Sequence, residues 1–453
     1  MPADKEYETT DFVADEPYSS STSLEGEDPK TLERRILRKV DIRLLPTLAA
    51  LYCIALVDRT NISVARISGL DEDLRLDVGD RASIVLLVFF VGYVIFEIPS
   101  NILIRKIGPA IWLGAIGVAW GAGYYPGCVY LIASWYKRYE VQKRFSFFFV
   151  LATAISGFAN IFALGLIQIS KVTSYKGWRW IYIIEGAMTI LVAIAAYFIV
   201  VDFPQSHRNK FLTPKEKSYV VERLAHDRGR ESDGDRVTWR AIWNTAKDWK
   251  VWTCSVMYFG GAVGSYAFTL FLPIILQDGL GFSRELSFLL SAFPPVFAAL
   301  EVMALSWVSD KIHQRGIFVI GQSVLGIVGL VMVGFLRNQV ARYVGAFLGY
   351  AGATGLVVSS MAWLTNNVRG DSKRSVATAI AIMLSGISGI YSSLVFRQQD
   401  APGYVPGIYA VIAVDLLAIF LAVVTVLGLR RANKRAEQGR LVIEGLEGFR
   451  YTL

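Results

Sequence analysis

Apolar runs of about 20 residues, the length that crosses a hydrocarbon core as a helix, recur along this chain with short charged breaks between them. They fall near 43–65, 82–104, 108–136, 145–169, 181–203, 251–277, 286–308, 316–336, 341–364, 376–396 and 407–429. That pattern leaves few folds open. In lipid every backbone polar group must find its partner inside the protein, and a helix does this within one segment. Composition agrees: 54% of the 453 residues are hydrophobic, more than a soluble domain of this size hides in its core. The charged residues, 19% of the total, sit between the runs, where helices would emerge from lipid. The expected fold class is an all-α polytopic membrane protein, with the bilayer as its first partner.

Several function classes fall away. A net charge of +8 in a soluble protein would raise the question of nucleic acid. Here the Lys and Arg lie in short loops and tails, where they set orientation, so no nucleic-acid partner is expected. Cys53, Cys128 and Cys254 are far apart in apolar surroundings, and His207, His226 and His313 are isolated. Neither set has metal-ligand spacing, so no metal and no cofactor are expected. No Gly-Lys dipeptide occurs, which removes a phosphate-binding loop and with it an ATP-driven pump within the chain. No nucleophile–base constellation appears either, so the chain does not read as an enzyme.

Charge asymmetry predicts the orientation. Arg34, Arg35, Arg38, Lys39 and Arg43 precede the first run, and the next loop, 66–81, is mostly acidic. Lys and Arg favour the cytoplasmic side, which puts both termini there. The divisions expected are a disordered acidic tail over 1–40, a membrane bundle over 41–203, a cytoplasmic loop over 204–250, a second bundle over 251–430, and a cytoplasmic tail over 431–453. One run resists the scheme. The stretch 108–136 has Arg105 and Lys106 before it and Lys137 and Arg138 after it, so both flanks belong on one side. Its roughly 29 residues are too few for two spans and too many for one. Eleven runs are counted where the charges call for twelve, which predicts a missing piece of chain here, with a re-entrant hairpin as the alternative.

Several stretches together resemble a known family. They are Asp58-Arg59-Thr60-Asn61, Phe96-Glu97-Ile98-Pro99-Ser100-Asn101, Ala122-Gly123-Tyr124-Tyr125-Pro126-Gly127, Gly177-Trp178-Arg179-Trp180 with Ile184-Glu185-Gly186, Asn366-Asn367, and Asp400-Ala401-Pro402-Gly403-Tyr404. Over roughly 35–440 the chain is similar to the anion:cation symporter family of the major facilitator superfamily, in particular its fungal allantoate-permease-like subgroup. That resemblance implies two six-helix bundles, substrate bound between them near the midplane, and alternating access by rocking. It implies a proton gradient as driving force, a small organic anion as substrate, a monomer, and the plasma membrane. It also locates the gap: the family's third helix, outer loop and most of its fourth helix belong between Trp120 and Gly123. The family's loop pattern G-x-x-x-D-R/K-x-G is weak around Arg105 and Lys106. Its second-half copy is better kept at Asp310, Lys311 and Arg315, where an acid and its basic neighbours would form a cytoplasmic gate.

Ions inside the runs carry the functional expectations, because one at the bilayer centre costs on the order of 2.5–3.5 kcal/mol. Arg59 offers a planar fork of donors suited to a carboxylate. Asp58 would neutralise it in the empty site or take a proton, and Asn61 shares its helix face; the alternative is a pair that snorkels to the headgroups. Glu97 reads equally as a proton site or a structural hydrogen bond. Glu185 reads first as a structural tie, and Asn366 and Asn367 as helix-end contacts near a gate. Glu301 has no assigned role. Trp135 and Trp178 read as interface anchors.

Overall fold

The structure, a computed structural model, describes residues 29–76, 78–119, 157–171, 175–206, 208–209, 211–228, 239–312, 314–369, 371–400, 403–445 and 448–453, with isolated positions between 120 and 156. Every regular element among the described residues is helical, as the sequence predicts. The longer helices are α1 Pro29–Ala65, α2 Arg81–Ile107, α3 Pro109–Ala119, α4 Ala159–Ile167 and α5 Gly177–Ile199. Next come α6 Pro214–Arg228 and α7 Trp239–Ala246, which break up the central loop. The second half holds α8 Trp249–Ile274, α9 Arg284–Ser291, α10 Phe293–Ile312, α11 Gly316–Phe335, α12 Gln339–Asn366, α13 Asp371–Val395 and α14 Val405–Glu437. Among the described residues 8 helical stretches are long and apolar enough to cross a membrane. The choice between eleven and twelve spans turns on 120–156, and there both the missing piece and the hairpin lie outside the described residues.

Local chemistry sets the helix ends. Asp248 caps α8 by accepting from the Lys250 amide at 3.2 Å. Asn338 caps α12 by accepting from Val340 at 2.8 Å and Ala341 at 3.2 Å, each satisfying an amide that has no partner within the helix. Gly108, with φ +97°, closes α2 and turns the chain straight into Pro109 at the start of α3. The asymmetry of glycine after a helix and proline at the head of the next follows from their backbone limits.

The first helix starts earlier than the sequence reading placed it. Residues 29–40, assigned to a disordered tail, form the first turns of α1. Leu32, Ile36, Val40, Leu44 and Leu48 recur every four residues and are all buried, one stripe of an amphipathic helix. They pack with Tyr219, Val220 and Leu224 of α6. Lys39 bonds Glu216 at 2.6 Å and Arg223 bonds Glu33 at 2.6 Å across the same contact. The intervening charges had hidden the stripe.

Within the second half, α11 and α12 touch backbone to backbone. A Cβ at Gly329 would stand 2.1 Å from the Gly349 amide nitrogen, so only glycine fits. Small residues give helices in lipid the close approach that drives their association.

The last residues return to the face on which α1 begins and α14 ends, here the terminal face. Glu444 bonds Lys250 at 2.6 Å and Lys373 at 2.9 Å, and Asp248 bonds Lys373 at 2.8 Å. Asn433 and Tyr451 exchange two bonds of 2.9 Å, while Asn367 accepts from the Thr452 amide at 2.8 Å. Trp363 and Asn367 donate to the Thr452 carbonyl, and the Arg315 amide donates to the Leu453 carbonyl. Burial alone would push the Glu444 and Asp248 carboxyls up, but the lysines outweigh it and hold both below the ordinary carboxylate range.

The two halves meet through α1 on α8, α2 on α13, and α4 on α9. Phe90 of α2 lies over Gly389 of α13, where a Cβ would come within 2.1 Å of its ring. Asn160 of α4 donates to Ser291 of α9 at 2.7 Å. Toward the face opposite the termini, Arg66 pairs with Asp71 at 2.9 Å, with Asp278 of the second half within electrostatic reach. Lys176 and Trp178 both donate to Asp73 there.

Two outcomes follow. Carboxyls depressed in the folded state stabilise it above their unfolded pKa, about 4, and lose that effect as pH falls through the lower folded value. Glu444→Gln should therefore lower stability at neutral pH by about 1–3 kcal/mol and flatten the acid-side fall, read by thermal unfolding in detergent. A melting profile unchanged by the substitution would remove the tail from the stability account. At the seam between halves, Gly389→Leu overpacks Phe90 by about 1–3 kcal/mol. A Ser291→Cys thiol, buried in the closed contact, should then gain maleimide labelling roughly tenfold; unchanged labelling would mean this contact does not hold the halves together.

Candidate functional site

A cavity of about 300 Å³ lies where the halves meet. From the first half Asp58 and Arg59 of α1, Phe89 and Phe90 of α2, Asn160 of α4 and Tyr182 of α5 line it. From the second half Tyr258, Tyr266 and Thr269 of α8 and Tyr350 and Thr354 of α12 face them. Aromatic rings form the walls. Phe90 meets both Phe89 and Tyr266 edge to face with centroids 5.0 Å apart, a geometry rings favour. The Arg59 guanidinium stands 6.0 Å from the Phe89 centroid, within cation–π range. Thr269 and Tyr350 share a hydroxyl bond of 3.0 Å. A small, flat solute with one charged end matches such walls, since rings supply apolar contact and a few polar groups fix orientation.

The charged wall is built by register between α1 and α5, which run antiparallel. Thr189 of α5 lies 3.2 and 3.3 Å from the two carboxylate oxygens of Asp58. Its hydroxyl is also 2.9 Å from the Glu185 carbonyl one turn back along α5. One turn on along α1, Asn61 comes level with Glu185. Both are 3% exposed, and Asp58 is the other polar neighbour of the Glu185 carboxyl. Asn61 faces that carboxyl without completing a hydrogen bond of good geometry, and among the described residues neither Glu185 oxygen finds another partner.

The residues singled out from sequence therefore divide. Asp58 and Arg59 reach the cavity. Asn61 and Glu185 stand behind it, against each other. Glu97 lies on α2 and Arg105 and Lys106 at its end, but their side chains are outside the described residues. So is the side chain of Asp310. Its neighbour Lys311 is exposed over the Trp307 ring at 5.4 Å. Arg315 is 8% exposed and donates to Ser309 at 2.8 Å. Asn366 is exposed, whereas Asn367 is buried and holds Thr452 of the tail. Trp135, expected at an interface, is buried and donates to the Asp202 carbonyl at 3.0 Å. Glu301 accepts from Gln322 at 2.7 Å.

Sequence reasoning missed most of the cavity wall. Phe89, Tyr258, Tyr266 and Tyr350 sit in apolar runs where nothing distinguishes a cavity ring from a packed one. Thr189 had a weaker signal, a hydroxyl on the same helix as Glu185.

Comparison with known proteins bears on this arrangement. The family model described as Major Facilitator Superfamily matches residues 110–393. The MFS-type transporter cnsO of Penicillium expansum is 28% identical, the alignment covering 94% of this chain and 89% of that protein. The High-affinity nicotinic acid transporter of Saccharomyces cerevisiae is 29% identical, over 89% of this chain and 79% of that one. The cnsO alignment runs over 463 positions, more than the whole length of this chain, so that relative has positions with no counterpart here. Among solved structures, a bacterial homolog of the human lysosomal transporter Spinster, inward-facing and unoccupied, superposes with a TM-score of 0.58 at 15% identity, covering 84% of this chain and 95% of that one. The xylose transporter XylE of E. coli gives 0.55 at 13% identity, covering 84% and 96%. Two helical halves around a shared cavity, and a family match over more than half the chain, place it: this is a multi-pass integral membrane transporter, not an enzyme, and it belongs to the Major Facilitator Superfamily.

Proposed function

We propose that the chain is a proton-coupled symporter of a small organic anion, working by alternating access. The observation that carries this is the pairing of one guanidinium and one carboxyl, Arg59 and Asp58, on the wall of an otherwise aromatic cavity. A guanidinium binds a carboxylate through two parallel hydrogen bonds. The surrounding rings would stack on a flat body. Nicotinate, which the yeast relative carries by name, has both features, and vitamin-like carboxylates and ureido-acids share the charged end. Asp58 would load a proton on the acidic side and release it on the other, so that a proton gradient drives the anion. Asn61 and Glu97 are proposed along the same path.

The basic residues Arg34, Arg35 and Arg38 before the first span support a cytoplasmic terminal face. Arg105 and Lys106 in the first half, and Asp310, Lys311 and Arg315 in the second, would then form the cytoplasmic gate. A monomer in the plasma membrane is the form proposed. A second reading rests on the positions present in the cnsO relative and absent here. If they fall between Trp120 and Gly123, the first half lacks helix that a working carrier needs, and the product would be an inactive remnant or a sensor.

Radiolabelled nicotinate in proteoliposomes tests the first reading. Uptake should rise as external pH falls and vanish with a protonophore. Arg59→Lys keeps the charge but loses the planar fork, and should cost roughly tenfold or more in kcat/KM. Uptake indifferent to pH and protonophore would eliminate symport. Sequencing transcripts across the Trp120–Gly123 junction tests the second: a longer message is the expected result, and a uniformly short one would favour the remnant.

A further inference from the structure

From sequence Glu185 reads as a structural tie, a role that rests on well-formed hydrogen bonds. Asn61 faces its carboxyl without completing one. The residue is nonetheless 3% exposed, so water does not satisfy it. Its polar neighbours are Asn61 and Asp58, both on α1. Tyr182, one turn away on its own helix, is the titratable group between it and the cavity. Among the described residues, α3, PAIWLGAIGVA, and α4, ANIFALGLI, have no ionisable side chain, and the short helical turns 66–70 and 168–171, which also pack on α5, carry Arg66 and Lys171. The nearest cation in the sequence is Arg59, which faces the cavity beside Asp58.

A buried carboxyl resists ionising beside a second, half-buried one, because each raises the cost of charge on the other. Such a pair titrates as a unit. We infer that Glu185 and Asp58 form one proton-sharing carboxyl pair, with Asp58 at the cavity and Glu185 behind it, and that this pair is the coupling site of the transporter. The inference rests on the symport reading and deepens it by naming the second carboxyl. The step is a simple proton transfer. A hydronium ion gives its proton to Asp58 from the cavity and leaves as water. The proton resides on either carboxyl, with Thr189 and Asn61 donating to the ionised member. It returns to water from Asp58 when the cavity opens to the other side. No bond to carbon changes and no redox partner is needed.

Two measurements test this on the full-length protein. The first needs no substrate. Infrared titration of purified wild type should show a carboxylic acid band at neutral pH. Glu185→Gln should remove one component of it. Asp58→Asn should keep that component, since burial still favours the neutral acid, but shift its titration to lower pH because the neighbouring carboxylate charge is gone. A component whose titration Asp58→Asn leaves unmoved would overturn the pair. The second uses the labelled aromatic carboxylate of the transport assay. One coupled proton lets a one-unit pH gradient sustain about tenfold accumulation. Glu185→Gln should lose this accumulation while substrate exchange across the vesicle membrane stays within about twofold of wild type. Accumulation that survives Glu185→Gln would defeat the coupling role. Absence of exchange in wild type would instead defeat the choice of substrate, and the infrared result would still decide the pair. Thermal unfolding of each variant separates misfolding from lost coupling.

Discussion

Hydrocarbon offers a polar group no partner, so each one in this chain must be answered by another part of the protein or carried to a face. That constraint sorts the ions. Those at the terminal face form networks, such as Lys250 and Lys373 around Glu444 and Asp248. Those toward the opposite face pair locally, as Arg66 does with Asp71. Within the spans, Glu301 takes a hydrogen bond from Gln322, and Asp58 lies against Thr189. Glu185 stands apart from this order, buried with Asn61 facing it but, among the described residues, no hydrogen bond of good geometry to either oxygen. An arrangement that costs stability and is kept anyway points to work done there.

The halves solve their own association differently. The second is held by backbone contact at Gly329 and Gly349 and is tied again at the terminal face by Tyr451 and Thr452. The first half is held by the polar seam of α1 and α5 and by the α1–α6 contact. Between the halves the ties among the described residues include a ring over a glycine at Phe90 and Gly389, the same ring against Tyr266, and an amide-to-hydroxyl bond at Asn160 and Ser291. Arg66 and Asp278 add an electrostatic contact toward the face opposite the termini.

How much of this could be read from residues alone depends on the physics of each feature. The spans were legible because hydrophobic length is a strong, local signal. Asp58 and Arg59 were legible because charge within such a run is rare. The early start of α1 was not: Glu33, Arg34, Arg35, Arg38 and Lys39 dominate the composition, although Leu32, Ile36 and Val40 repeat at helical spacing. The docking of the tail was not legible for a similar reason. Glu444, Tyr451 and Thr452 look like ordinary polar residues, and only the fold brings Lys250, Asn367 and Asn433 to meet them. The cavity rings could not be picked from 13% aromatic residues, since packed and cavity-facing tyrosines share the same context. Glu185 was found, but its role depends on register. Only the antiparallel pairing of Thr189 with Asp58 shows that Glu185 must come level with Asn61.

Charge bookkeeping at the cavity explains why an anion and a proton would bind together on this reading. With Arg59 charged and one proton shared between Asp58 and Glu185, the empty site is neutral in total. An arriving carboxylate makes it negative in a place where water is scarce and fields are strong. A second proton on the pair restores neutrality. Binding of the anion therefore raises the affinity of the pair for protons, and by linkage a proton raises the affinity for the anion by the same factor. Coupling then needs no special device: it follows from one fixed cation and two carboxyls held in a low-dielectric seam between helices.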